Sequence, residues 1–133
     1  MAEKIQFELV SPSKLLVSSA VDMVVVPGTE GDFGALPRHS PVIATVRPGV
    51  IDIHDEGKVS NRIFVAGGFA EVNEERITVL AEEAIPVSEL SADQAAQRLQ
   101  AAQEALADAK NDSEKAAAEQ RIAVAVAMQA AAA

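Results

Sequence analysis

Residues 27–41 read PGTEGDFGALPRHSP, and this stretch decides how the first two thirds of the chain is interpreted. It holds three glycines and three prolines between two apolar runs, residues 21–26 and 42–46. Glycine tolerates positive φ and proline fixes φ at about −65°, so the stretch favours turning, irregular backbone. We therefore predict a shaped loop between two strands, in the kind of segment that commonly carries contacts.

Short strands flank this loop on both sides. Residues 5–9 (IQFEL) alternate apolar and polar side chains, as a half-buried strand does. Turn signals separate the later runs, most clearly at residues 47–49 (RPG), 55–57 (DEG) and 73–74 (NE). The predicted strands are residues 5–9, 21–26, 42–46, 50–54, 58–65, 69–72 and 76–80. Short strands at this spacing predict an antiparallel β-sandwich or a flattened barrel.

The composition of the chain changes near residue 87. All seven glycines and all six prolines lie before residue 88, and the remainder is rich in alanine. Such a shift marks a boundary between two kinds of structure. We predict a β-sandwich domain over residues 1–87 and an antiparallel α-helical hairpin over residues 88–133.

The alanine-rich half has the pattern of two helices. Ser91 and Gln94 form a capping box before an apolar series at helical spacing. A polar break at residues 110–113 (KNDS) ends this helix, and Asp112 or Ser113 is the expected N-cap of the next. Helices joined by so short a turn pack antiparallel. Because their seam is mostly alanine, which buries little apolar area, we expect the hairpin to be the less stable half.

Charge and composition argue against several classes of partner. The formal net charge is −9, which disfavours nucleic acid and anionic lipid because both attract Lys and Arg. The longest apolar runs are far too short to cross a bilayer, so we expect no direct membrane insertion. The chain starts with MAEKI and shows no apolar signal region, which favours a cytosolic location.

Motifs of catalysis are missing from the sequence. No G-K-[ST] follows the glycines of residues 28–34, and Gly67-Gly68 lacks the third glycine of a dinucleotide fingerprint. His39 and His54 have no neighbouring histidine or cysteine at metal-site spacing. We therefore expect no catalytic residue, no metal and no cofactor. Two classes of protein remain, a binding or coupling module and a purely structural protein.

Two positions stay open when judged by residue type alone. His39, next to Arg38, could be a contact or a residue that packs the loop. Ser11, followed by Pro12, could be a contact or a bend between strands, and the sequence favours the bend.

Five short motifs occur in the order and spacing of a known family. They are GTEGDFG at residues 28–34, PRHSP at 37–41, RPG at 47–49, GGF at 67–69 and TVLAE at 78–82. Together they resemble the ε subunit of the F-type ATP synthase, the bacterial counterpart of the mitochondrial δ subunit. One such motif alone is a weak signal, but five in register are specific.

The resemblance implies a non-catalytic rotor subunit in the central stalk of a proton-translocating synthase. It links the γ subunit to the c-ring and couples proton flow to ATP synthesis, as a peripheral protein on the cytoplasmic face of the bacterial inner membrane. Carried over by position, the c-ring contact falls on Glu30, Gly31, Asp32 and Phe33. The γ contact falls on Ser11, His39, Ala44, Ala66 and Glu71. An acidic loop suits the ring, whose polar loops carry arginine in the family.

The hairpin is the regulatory part in many bacterial members, where it folds onto the sandwich or extends along γ toward the α and β catalytic subunits. Some members bind ATP through [IL]-D-x-x-R-A, but residues 90–95 (LSADQA) carry Ser91 and Gln94 instead. We therefore expect no nucleotide binding. Residues 88–133 hold four basic and seven acidic side chains, so we expect weak inhibition of hydrolysis or none. The alternative interpretation is a stand-alone β-sandwich protein-binding module with a helical tail.

Overall fold

Ten strands precede two helices in the computed structural model, which describes residues 3–132. The strands are β1 (Ile5–Ser11), β2 (Lys14–Val21), β3 (Met23–Gly28), β4 (Gly31–Ala35), β5 (Val42–Val46), β6 (Gly49–Asp55), β7 (Lys58–Val65), β8 (Gly68–Val72), β9 (Arg76–Ala81) and β10 (Ala84–Pro86). The helices are α1 (Ala92–Ala107) and α2 (Asp112–Ala132), preceded by one 3₁₀ turn, Val87–Glu89. The predicted order of strands followed by a helical pair is confirmed.

The strands form two layers that meet at one corner. The first layer has the order β10-β7-β6-β3, with β4 also paired to β3, and the second has the order β5-β8-β9-β1-β2. The layers join where Gly28 of β3 pairs with Val46 of β5. Within residues 3–132 the pairings are antiparallel except that β1 and β9 run parallel. This arrangement confirms the predicted β-sandwich.

Alternate residues of each strand fill the space between the layers. Ile5, Phe7 and Leu9 of β1 are fully buried, while the residues between them are only half-buried. The neighbouring strand β9 contributes Ile77 and Val79 in the same way, and β6 of the first layer contributes Ile51 and Ile53. No polar or charged side chain is buried in the described part of the chain, so apolar packing holds the core.

Two tight turns follow their sequence signals. Glu56 and Gly57 join β6 to β7 with φ of 53° and 81°, the positive values that a two-residue hairpin turn needs. Asn73 closes the β8–β9 turn, where its side-chain oxygen accepts the N–H groups of Glu75 and Arg76, each at 2.9 Å. The structure confirms both predicted turns.

The strand prediction from sequence is incomplete. Residues 14–21 are not predicted as a strand, yet they form β2 beside β1, at the edge of the layer where exposure blurs the alternation. The loop predicted at residues 27–41 is wrong in its centre, because Gly31–Ala35 forms β4 and pairs with the strand before it. β3 and β4 form a β-hairpin whose tip is the two residues between Gly28 and Gly31, so the glycines lie within the ladder. The three-residue β10 is missed as well.

The N-cap prediction is right for α1 and wrong for α2. The Ser91 hydroxyl accepts the N–H of Gln94 at 3.2 Å, so the predicted N-cap of α1 is confirmed. The N-cap of α2 predicted at residues 112–113 is wrong, because Asn111 takes that place. Its side-chain oxygen accepts the N–H of Glu114 at 2.8 Å, and the Glu114 carboxylate accepts from the Asn111 side chain at 3.1 Å. Asn is as good a cap as Asp, and here it lies one residue earlier.

The helical hairpin packs on the outer side of β7. Phe64 of that strand is 0% exposed and forms an apolar cluster with Ala95 of α1 and Met128 of α2. The Arg98 guanidinium of α1 donates two hydrogen bonds, each 2.9 Å, to the Glu83 carboxylate. The predicted antiparallel hairpin is confirmed, and it lies docked on the β-sandwich.

An ion-pair cluster ties the start of β1 to two turns. The Lys4 ammonium lies 3.1 Å from Asp22 and also pairs with Asp55. Hydrogen bonds to Asp55 and Asp22 raise the pKa of Lys4 above its ordinary value. The bonds that Asp22 accepts from Lys4 and from the Glu56 N–H, at 2.7 Å, lower the pKa of Asp22. The charged forms of both groups are therefore favoured by folding.

Lys4→Met is expected to destabilise the protein at neutral pH but not in strong acid. The pKa of Asp22 is depressed, so its contribution is present above the ordinary 3.8 and is lost as pH falls through the folded value. The pKa of Lys4 is raised, so its contribution is present below 10.5 and is lost at more alkaline pH. Urea unfolding across this range should show a wild-type advantage that shrinks at both ends. An advantage that persists unchanged at about pH 2 would contradict this assignment.

Candidate functional site

The β3–β4 hairpin presents an acidic tip to solvent. Glu30 and Asp32 are both exposed there, on either side of Gly31, whose φ of 126° suits glycine. At Gly28 a Cβ atom would lie 2.7 Å from the Gly31 carbonyl oxygen, so the two strands approach too closely for a side chain. The four residues predicted for the c-ring contact, residues 30–33, therefore lie together on one hairpin.

One arginine fixes this tip to the second layer. Arg47 directly follows β5, and its Nη1 donates to the Gly28 carbonyl while its Nη2 pairs with Asp32, both at 2.6 Å. Its backbone N–H donates to the Pro27 carbonyl at 2.8 Å. Asp32 is therefore partly neutralised within the protein. Among residues 3–132 Glu30 has no ion-pair partner, so it is the acidic group that the tip offers outward.

A groove of about 750 Å³ separates the hairpin from β5. Phe33 and His39 line it with ring centroids 6.5 Å apart, and Ala44 of β5 lines it as well. The His39 Nδ1 atom lies 2.7 Å from the Ser40 carbonyl, which can only accept, so Nδ1 carries the proton. His39 therefore both packs its loop and borders the groove. All four residues predicted for the c-ring contact line this groove, together with two predicted γ residues, His39 and Ala44.

The outer side of the second layer carries a line of apolar side chains, here called the apolar row: Phe69, Leu80, Val10 and Leu15. The strand register places each of them beside the next across β8, β9, β1 and β2. Phe69, Leu80 and Leu15 are 57%, 54% and 54% exposed, and Val10 is half-buried. Ile43 of β5, 75% exposed, lies next to the row. Contiguous exposed apolar surface of this kind marks an interaction site.

Two predicted γ residues lie beside the apolar row. Glu71 is exposed on β8, two positions after Phe69 and so on the same side of the layer. Ser11 ends β1 directly after Val10, and it lines a shallow groove together with Phe69 and Leu80. Its hydroxyl also donates to the Lys14 carbonyl at 3.4 Å, across the β1–β2 turn. The chain bends directly after Ser11, as the sequence favours, and the γ contact of Ser11 stays a prediction.

Ala66 lies apart from the other predicted γ residues. It is only 4% exposed and belongs to the cluster that Phe64 and Met128 form under the helical hairpin. In this arrangement the hairpin covers Ala66, so the side chain is not offered to another subunit. A small apolar residue at a strand end suits a surface and a packed contact equally, and residue type alone does not separate them.

The apolar row is not predicted from the sequence, although β8 carried a signal for it. Ala70 and Val72 face the core, which turns Phe69 outward because strand side chains alternate. A large aromatic on the solvent side of an antiparallel strand departs from the usual pattern of apolar-in and polar-out. If residues 70 and 72 are assigned to the core face of the strand, Phe69 falls on its solvent face, and this part of the row can be predicted.

A second groove of about 540 Å³ lies between the helices and the β-sandwich. Gln94, Arg98 and Arg121 line it, so two cations lie near the motif at residues 90–95 although Gln94 itself is uncharged. Arg98 is engaged by the Glu83 carboxylate, and Ser91 is used as a helix cap. The absence of nucleotide binding stays a prediction.

The described residues provide grooves and an apolar surface, which suit protein contact. Between residues 3 and 132 no cluster of three or more His, Cys, Asp or Glu side chains is placed to hold a metal ion. In the same part of the chain, neither helix has the length and apolar character needed to cross a membrane.

Comparison with known proteins identifies the family. The family model described as ATP synthase, Delta/Epsilon chain, beta-sandwich domain matches residues 4–87. A protein named ATP synthase epsilon chain from Paramagnetospirillum magneticum is 75% identical over 131 residues, which is 98% of each chain. One of the same name from Rhodospirillum rubrum is 59% identical over 131 residues, again 98% of each.

Two solved structures share the fold. A chain of the Euglena gracilis mitochondrial ATP synthase, described as OSCP/F1/c-ring, gives a TM-score of 0.81 at 22% identity and covers 98% of this chain and 82% of that one. A chain of the Tetrahymena thermophila enzyme, described as central stalk/c-ring, gives 0.75 at 16% identity with 98% of both chains covered. At these identities the likeness supports the fold alone. The five motifs, the match over residues 4–87 and the relatives aligned over 98% of their length show that the chain belongs to the ATP synthase epsilon-chain family.

Proposed function

We propose that the protein is a non-catalytic central-stalk subunit that links γ to the c-ring of an F-type ATP synthase, so that proton flow drives ATP synthesis. The observation that carries this proposal is the apolar row on the outer side of the second layer. Large side chains exposed on adjacent strands are covered by a protein partner in most soluble assemblies. The names of the relatives support a place in the synthase, and the Tetrahymena thermophila neighbour, a chain of a central stalk/c-ring structure, supports the central stalk.

We assign the γ contact to the apolar row and its polar border. Phe69 and Leu80 give the row a large apolar centre, and Glu71 lies at its edge. An apolar centre with a polar rim is the usual anatomy of a protein interface. His39 and Ala44 line the neighbouring groove, where Ala44 lies on the inner face of β5 opposite Ala70, and Ser11 borders the row at the β1–β2 turn.

We assign the c-ring contact to the tip of the β3–β4 hairpin, with Glu30, Gly31, Asp32 and Phe33. Carboxylates at an exposed tip can accept paired hydrogen bonds from guanidinium groups, which the family's ring loops carry. The tip belongs to the first layer and the apolar row to the second, and the layers meet at the Gly28–Val46 corner, so one domain can hold both partners at once. A protein in this position is peripheral, on the cytoplasmic face of the bacterial inner membrane.

We further propose that residues 1–87 form the rotor-binding unit and that residues 88–133 form a regulatory appendage able to reach the α and β subunits. Among residues 3–132, the buried members of the main apolar core all lie between Ile5 and Ala81, which supports an independent β-sandwich. The hairpin contacts that sandwich through Phe64, Ala66 and the Arg98–Glu83 pair.

The chain truncated after Val87 is expected to fold cooperatively and to bind γ. Its stability should fall by roughly 2 kcal/mol, because the Phe64 side chain, now 0% exposed, becomes open to water. Circular dichroism with urea unfolding measures the first point. ATP hydrolysis by the reassembled complex should change less than about twofold, since exposed ion pairs are weak and the hairpin carries few large anchors. Uncooperative unfolding would refute the boundary, and a several-fold rise in hydrolysis would show that the hairpin inhibits.

Asp32→Lys is expected to lower proton-driven ATP synthesis severalfold in the reassembled enzyme while leaving γ binding unchanged. The substitution places a cation where the tip should meet arginine, and it also repels Arg47. Stability of the free chain should fall by about 1 kcal/mol at most, because the Asp32–Arg47 pair is exposed.

Two control variants separate the possible causes. Asp32→Asn removes the carboxylate without adding a cation, so its defect should be smaller. Glu104→Lys makes the same charge change on an exposed position of α1 and should leave synthesis intact. Unchanged synthesis with Asp32→Lys would overturn the c-ring assignment. A chain that does not stay with γ during purification would instead be a stand-alone β-sandwich binding module.

A further inference from the structure

Within residues 3–132, β2, β4 and β10 each pair with a single other strand, so each leaves one whole edge open. Natural proteins protect such edges with charge, proline, glycine or short length, since open backbone groups attract other strands. β10 has three residues and ends at Pro86. β4 has five, among them Gly31, Asp32 and Gly34. Both edges are thus protected by their sequence.

The edge of β2 lacks this protection. The strand has eight residues, and from Leu15 to Val21 it carries neither a charge nor a proline. A bulge disturbs the pairing with β1 near Leu9, but from Val17 to Val21 the register is regular. A regular, uncharged edge of this length is suited to accept another strand.

The side chains around this edge are incompletely covered. Leu16 and Val17 are only half-buried, although they pack against the main core. Ser19 is exposed, although its register partner Phe7 is fully buried. A strand added beside β2 would continue the layer and complete the cover over this side of the core.

We propose that β2 accepts an extended segment of γ as an added strand, so that the γ interface continues from the apolar row around the edge of the second layer. This inference rests on the proposed function, because the apolar row ends at Leu15 on β2 itself. Continuity with that row selects the same partner for the edge. Main-chain hydrogen bonds along Val17–Val21 would then add to the side-chain contacts of the row.

Amide hydrogen exchange of the full chain, free and bound to purified γ of a bacterial F-type ATP synthase, tests the proposal. In an edge strand alternate N–H groups point to solvent, so some amides of residues 15–21 exchange fast in the free chain. On binding, those amides should slow by at least about tenfold, as new ladder hydrogen bonds form. Docking on the apolar row alone covers side chains and would leave the edge amides fast.

A pair of variants gives an independent measurement. Ser19→Lys places a charge in the middle of the edge and should weaken γ binding by about tenfold or more. Gln103→Lys adds the same charge on the exposed side of α1, away from β2 and the apolar row, and should change binding less than about twofold. Both positions are exposed, so both variants should fold, as circular dichroism will show.

The outcomes separate this inference from the proposed function. Tight γ binding without added protection at residues 15–21 overturns the added strand and leaves the γ contact standing. No γ binding at all overturns both. Protection in the free chain that rises with its concentration would show that a second copy occupies the edge, which also overturns the proposal.

Discussion

Phe69→Glu is expected to weaken γ binding by at least about 30-fold while leaving the fold of the free chain intact. Phe69 is 57% exposed and is the first residue of the apolar row, with Leu80 on one side of it and Thr45 on the other in the strand register. Buried aromatic anchors at the centre of an interface cost about 2 kcal/mol or more when lost, which is about 30-fold in affinity. A carboxylate there would also be desolvated without a partner, which adds to the loss.

Calorimetric titration of γ with the wild type and the variant measures this effect. Val59→Glu is the matched control, because Val59 is also an exposed apolar residue, at 44%, but lies on β7 in the other layer. The control should bind γ as the wild type does, and both variants should unfold at similar urea concentrations. If the two variants bind equally well, γ does not contact the apolar row.

Gly68→Ala is expected to destabilise the protein by about 3 kcal/mol or more, the largest effect on folding that we predict for a single substitution. A Cβ atom at this position would lie 1.9 Å from the Leu80 carbonyl oxygen, so the β8 and β9 backbones would have to separate. The φ of 148° adds strain for any residue other than glycine. The damage would fall on the pair of strands that carries Phe69.

Gly57→Ala provides the comparison for that substitution. Gly57 also has a positive φ, 81°, but nothing lies within 4 Å of a Cβ built there. Its loss should therefore reflect backbone strain alone, about 1–2 kcal/mol. Urea unfolding of both variants distinguishes crowding from strain. Equal losses for the two glycines would show that the β8–β9 contact yields without cost.

Much of the fold could be predicted because its signals are local. The alternation in β1, the turn at Glu56-Gly57 and the Asn73 turn are each decided within a few residues. The loss of glycine and proline after residue 87 likewise marks the start of the helical half. Where a few neighbouring residues determine the backbone conformation, the sequence is sufficient to predict the element.

The features that could not be predicted depend on distant partners. β2 is an edge strand, so its side chains lack the alternation that a strand with two neighbours shows. The parallel pairing of β1 with β9 joins segments about 70 residues apart, and no local pattern reports it. The glycines of residues 28–34 favour turns locally, but the β3 ladder draws them into a strand. Tertiary context overrides propensity at each of these places.

Part of the candidate site could be predicted because it lies in one continuous segment. The motif at residues 28–34 places Glu30 and Asp32 on one tip, because the segment is continuous. The apolar row is assembled from four strands, so no single segment displays it. Ala66 is the opposite case, since its burial depends on helices that begin some 25 residues later.

The corner where the two layers join has a mechanical consequence. Apolar packing between layers is non-directional and resists sliding poorly, whereas hydrogen bonds resist displacement along their axes. Across this corner the Thr29 N–H donates to Thr45 at 2.9 Å, and Arg47 binds the hairpin by its backbone and its guanidinium. A sideways load on the hairpin tip therefore stretches these hydrogen bonds, which transmit it to β5 and to the paired strand β8. The hairpin and β5 are thus held together at this corner by directional bonds as well as by apolar packing.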